Sequence, residues 1–143
     1  ACPRCKATAA PAMLKTLLAA LETYGRWLER RRQAKRGQTE AQTRAVQSVL
    51  QAASDTRSYL YDLRQGGSQD RSRETDLARR WADAAVDVRT VDRRLSSLAV
   101  SSSVGWADPD IGDDAMYGRV EDQLELIQRQ CEWLLEHPDG SGR

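Results

Sequence analysis

Few residues in this chain can do metal or redox chemistry. Among 143 residues there are three Cys and one His. Cys2 and Cys5 enclose the step Cys2-Pro3-Arg4-Cys5. That spacing resembles one knuckle of a zinc ribbon, where two thiolates share a tetrahedral ion. A ribbon needs a second such pair, and Cys131 has no thiol near it in sequence. His137 follows the last helical segment, so an antiparallel helical fold brings it to the pole that holds the N-terminus. Cys2, Cys5 and His137 are therefore a candidate zinc site, with water, Asp139 or a second chain as fourth ligand. The competing reading, preferred here, is a flexible segment with no bound cofactor. A redox C-x-x-C would open a helix in a βαβ pattern, which is missing, and haem attachment would need His where Lys6 stands.

Catalytic constellations are not evident. A single His near the end of the chain offers no Ser-His pairing. Facing Glu-x-x-His steps of the di-iron type do not occur. Gly66-Gly67 lacks the Lys and helix context of a phosphate loop. Asp108 to Asp114 looks like a calcium loop until positions are counted: the sixth is Asp113 and the twelfth Arg119, where Gly and Glu are required. Most Asp and Glu fall off the apolar stripes and read as solvated. The sequence thus points away from an enzyme.

The elements that would position any site are helices. The chain has 19 Arg, 19 Ala and 15 Leu, all strong helix formers, with no Phe. Nineteen Arg against three Lys suggests a GC-rich, bacterial coding source. Four series recur in steps of three and four. They are Leu14-Leu17-Leu21-Tyr24-Leu28, Val46-Val49-Ala53-Thr56-Leu60-Leu63, Leu77-Trp81-Ala84-Val88-Val91-Leu95-Leu98 and Tyr117-Val120-Leu124-Ile127-Cys131-Leu134. Gly37, Gly66-Gly67 and the Ser101–Gly105 stretch are read as the breaks between them. The predicted fold is all-α, an antiparallel up-down-up-down four-helix bundle over residues 10–137. Residues 1–9 form a flexible C-x-x-C segment and residues 138–143 a disordered tail. A longer helical hairpin that completes its core as a dimer is the alternative. Trp106 and Ile111 are expected to lie over the top of the bundle.

Charge adds a layout. The formal net charge is +1, from 22 basic and 21 acidic residues. Residues 1–37 hold nine Lys or Arg against two Glu, net +7. Residues 106–143 hold three Arg against ten acids, net −7. The expectation is that the first and fourth helices attract and lie side by side. Arg26, Arg30 and Arg31 head a basic run that extends to Arg36. Trp27 and Trp133 stand one position off their stripes, where large aromatics often mark an interface.

Taken together, these residues suggest a non-catalytic helical module. Its partner is another protein or a second copy of itself. The alternative is a small regulatory protein that binds nucleic acid through the Arg cluster. An odd Cys count and no clean signal peptide suggest the cytoplasm. No apolar run of the ~18 residues that suggest a membrane span occurs.

Overall fold

A computed structural model describes residues 9–108, 110 and 114–138. The protein is all-α, and no strand occurs among the described residues. Four helices follow in order: α1 (Ala9–Arg64), α2 (Arg71–Val88), α3 (Arg93–Ala107) and α4 (Asp114–Glu136). The chain divides into two units, Ala1–Gln38 and Thr39–Arg143.

The second unit is an antiparallel up-down-up-down four-helix bundle, as expected. Its first helix is the stretch of α1 from Thr39 to Arg64. Tyr59 meets Glu74 and Thr56 meets Trp81, so this stretch runs against α2. Ser96 Oγ donates to the Ala85 carbonyl and Ser103 Oγ to the Ala78 carbonyl, each at 2.8 Å, which sets α3 against α2. Gln123 Nε2 reaches the Leu98 carbonyl and Gln130 Nε2 reaches Asp92, which sets α4 against α3. Gln42 Nε2 donates to the Leu134 carbonyl at 3.0 Å, and Arg64 pairs with Glu121, closing the ring between α4 and α1.

The core repeats three of the four predicted stripes. Val46, Val49, Thr56, Trp81, Ala84, Val88, Leu95, Ile127 and Cys131 are all fully buried. Seven of the buried side chains are alanines: Ala45, Ala52, Ala53, Ala78, Ala84, Ala85 and Ala99. Bulk comes from Trp81, Trp106 and Tyr59, so the helices meet over small residues and close around a few large rings.

Three helix boundaries differ from the sequence reading, and one is the expected break at Ser101–Gly105, which α3 runs through to Ala107. The predicted break at Gly37 does not occur, and α1 runs through it. Gly37 does not take positive φ, and no Pro follows to force a stop. A helical Gly costs only ~1 kcal/mol, which neighbours such as Ala34, Lys35, Glu40 and Ala41 offset. Gly66 does end the helix, at φ +87. Gly67 N–H reaches the Asp62 carbonyl and Gly66 N–H the Leu63 carbonyl, the paired bonds of a Schellman cap. A Cβ on Gly67 would lie 2.7 Å from the Asp62 carbonyl oxygen, which explains the second glycine.

The third difference is a reversal inside the predicted third helix. Val91 and Asp92 N–H both bond to the Val88 carbonyl at 2.9 Å, and the chain turns there. Asp92 then caps α3, accepting from Leu95 N–H at 2.9 Å. Neither Gly nor Pro marks this turn. The three-four spacing continues across it because α2 and α3 both face the same core.

The helix beside α4 also differs from the expectation. It is the later half of α1, whose surrounding segment, residues 38–66, holds three basic and three acidic residues. The strongly basic residues 1–37 belong to the other unit. The bundle's cross-helix ion pairs are Arg64–Glu121, Arg73–Asp62 at 2.7 Å and Arg80–Asp55 at 2.6 Å. Each is partly exposed and contributes on the order of 0–1 kcal/mol.

Candidate partner-binding surface

In the first unit the predicted stripe forms on a helix and remains exposed. Leu14, Leu17, Leu18 and Leu21 expose between 54% and 66% of their surface. Met13, Tyr24 and Trp27 are exposed beside them. The same three-four spacing that is buried in the bundle is thus presented to solvent here. Spacing alone does not distinguish the two cases.

Trp27 is the centre of a short aromatic ladder. Its ring stacks on Tyr24 at 5.7 Å between centroids. The Arg31 guanidinium also lies over the Trp27 ring, 4.7 Å from the centroid. One helical turn separates each pair, so α-helical periodicity builds the ladder. Arg26 pairs with Glu22 at 3.5 Å, and both are mostly exposed. Arg30 is exposed. Trp27, Arg26, Arg30 and Arg31 therefore share one helix segment.

Trp133 lies in the bundle. It is partly buried against the core and stacks on His137, with ring centroids 4.7 Å apart. His137 Nδ1 lies 2.9 Å from the Trp133 carbonyl, one turn back, which closes the end of α4. Cys2 and Cys5 lie outside the described residues. Among the described residues no three His, Cys, Asp or Glu side chains group to hold a metal ion. Cys131 is a buried free thiol.

A buried polar cluster was not legible in the sequence. Glu74 is among the acids off the apolar stripes that are expected to be solvated, yet it is fully buried. Its carboxylate accepts from Tyr59 Oη at 2.9 Å, from Gln69 Nε2 at 3.0 Å and from Arg71 at 3.0 Å. Arg71 also donates to the carbonyls of Trp106, Ala107 and Asp108. These are the orphan carbonyls at the end of α3, so one guanidinium caps α3 and neutralises Glu74. Trp106 packs edge-on against Tyr59 at 5.6 Å and is buried in the last turn of α3. The cluster is structural: every polar group in it is paired within the bundle. The signal available beforehand was Tyr59 beside the Leu60 stripe, which placed a polar tip near the core.

Burial pushes the Tyr59 phenol up to about 12, against the Asp70 N–H bond that lowers it; the Glu74 carboxylate adds to the rise. Burial, with Glu132 and Asp92 nearby, pushes the Cys131 thiol up to about 12. Both groups are neutral acids when folded and ionise more readily when unfolded. Their contribution to stability is full below about pH 9 and is lost as pH rises toward 12. We expect the unfolding free energy from urea titrations to fall from about pH 9 upward, by on the order of 4 kcal/mol near pH 11 for the two groups together. Cys131→Ala should delay the onset toward about pH 10, the ordinary range for tyrosine. An unchanged profile in that variant would dissociate the thiol from the effect.

An open cleft between the 57–64 stretch and α4 is lined by Arg57, Tyr61, Arg64, Glu121 and Glu125. Arg64 pairs with Glu121 across it, Arg57 donates to Gln128, and Glu125 pairs with Arg129 on its own helix. No described helix is long and apolar enough to cross a membrane. Compared with protein-family models, curated proteins and solved structures, the chain matches none.

Proposed function

We propose that this chain is a non-catalytic interaction module that binds another protein chain through the Leu14–Leu28 face of α1. The observation that carries the reading is the apolar stripe left exposed on a formed helix. Large apolar patches on folded proteins mark contact surfaces more often than scattered single residues do. The Tyr24–Trp27–Arg31 ladder supports it, since Trp, Tyr and Arg are the residue types enriched at binding hot spots. The bundle supplies a stable mount with its own core. An odd cysteine count and the buried Cys131 thiol support a reducing, cytoplasmic setting.

One observation favours a second reading. Arg30, Arg31, Arg32 and Arg36 are exposed next to an aromatic ladder, an arrangement that suits a nucleic-acid backbone and a stacked base. A photo-reactive residue in place of Leu17 separates the two readings in the cells that make the protein. Discrete protein adducts, lost when Leu21→Glu is added, are expected. Nucleic-acid adducts without protein adducts would overturn the module in favour of the Arg cluster. No adduct of either kind would remove both.

A further inference from the structure

We propose that the occupant of this face is a second copy of the chain, paired antiparallel over Leu14–Leu28. The inference rests on the reading of this helix as a protein-docking element. Leu14, Leu17, Leu21, Tyr24 and Leu28 fill two heptads of alternating three and four steps. The seven large apolar side chains from Met13 to Trp27, 44% to 68% exposed, present on the order of 800 Å², about what one partner gives to a standard interface. A foreign partner is selected by charges flanking such a seam. Here the flanking positions are Met13, Leu18, Ala20, Gly25 and Trp27, all uncharged. Nothing in them repels an identical chain.

Charge also fixes the direction. Within Leu14–Leu28 the charged residues are Lys15, Glu22 and Arg26, a net of +1. The run Arg30, Arg31, Arg32, Lys35 and Arg36 lies wholly beyond it. A parallel pair would set these five cations against five, with Arg31 and Lys35 on the seam itself. An antiparallel pair sends the two runs to opposite ends, roughly 30 Å apart along the helix. That is nearly four Debye lengths (~8 Å each) at physiological salt, so their repulsion is screened. In this register Leu17 meets the second copy's Leu28, Leu21 meets its Tyr24, and Leu14 at each end meets the alkyl stem of its Arg31.

The test is sedimentation equilibrium of the full chain, with disulfide trapping in a Cys2→Ser, Cys5→Ser background. At about 100 µM the expected mass is twice the 16.0 kDa of the chain. Leu21→Glu should weaken dimerisation at least ~100-fold while the bundle's thermal midpoint stays unchanged. Leu17→Cys and Leu28→Cys chains should form a mixed disulfide together and none alone. Each variant cross-linking to itself would show a parallel pair and overturn the direction, leaving a protein-docking role intact. A monomer that yields discrete adducts with a different protein would remove the second copy but not the docking role. A monomer that instead co-sediments with phosphatidylglycerol vesicles would overturn both.

Discussion

Replacing Trp81 with Ala is expected to destabilise the bundle by about 4–5 kcal/mol. Trp81 is fully buried, and its ring is among the largest side chains in a core otherwise rich in alanine. Alanines cannot move to refill the space, because their backbones already set the helix spacing. The indole Nε1–H also donates to Thr56 Oγ1 at 3.0 Å, while Thr56 donates to the Ala52 carbonyl at 2.8 Å. The substitution therefore removes volume and leaves a buried hydroxyl without its donor. For a domain near 100 residues, each kcal/mol shifts the midpoint by about 4–8 °C, so a drop of at least roughly 15 °C is expected. Trp81→Phe should retain more than half of the lost stability. Circular dichroism during heating reads both variants, and a loss below about 2 kcal/mol in the alanine form would show that the core collapses around the site.

Glu74→Ala is the second large effect, about 2–4 kcal/mol. Removing one partner of a buried pair costs up to about 3–5 kcal/mol, and less where the other partner reaches water. Arg71 is partly exposed and remains bonded to the α3 carbonyls, which moderates the loss. Tyr59 has no such outlet: its hydroxyl loses the Glu74 acceptor and remains buried. Glu74→Gln should cost less, since its amide oxygen still accepts. The pair Glu74→Leu with Tyr59→Phe should recover part of the loss, because the buried Tyr59 hydroxyl is then gone, while Gln69 Nε2 and the Asp70 N–H still lose their acceptors. Urea unfolding of the two single variants and the double variant measures the coupling. Strict additivity would show that Tyr59 and Glu74 act independently, contrary to their 2.9 Å contact.

Much of the architecture was legible because burial leaves a period in the sequence. The stripes at Val46–Leu63 and Tyr117–Leu134 predicted their buried faces almost residue by residue. The limits of that signal are equally physical. Leu14–Leu28 carries the same period and is exposed from Leu14 to Tyr24, with Leu28 half-buried, since spacing records an apolar face but not what covers it. The turn at Arg89–Asp92 was hidden because both flanking helices address one core, so the count of three and four never faltered. Gly37 looked like a stop because a C-terminal glycine and an interior one are the same residue in one dimension. The burial of Glu74 leaves no such trace, because its partners lie at sequence separations of 3, 5 and 15, a cluster that only the folded loop assembles. Trp133 and Trp27 both stand one position off their stripes, and they differ: one is partly buried against the bundle core, the other on the exposed face.

The seven buried alanines constrain how this protein can change over generations. A core of large side chains tolerates drift in both directions, since neighbours can shrink and grow in compensation. Here truncation has almost nothing left to remove at those positions. Every accessible substitution except glycine adds atoms where two helix backbones already meet, at a cost of typically ~1–3 kcal/mol. Mutational drift in this bundle is therefore one-sided: the rings of Trp81, Trp106 and Tyr59 can be exchanged for smaller groups and partly rescued. The alanine contacts behave as fixed points around which any related sequence must be built.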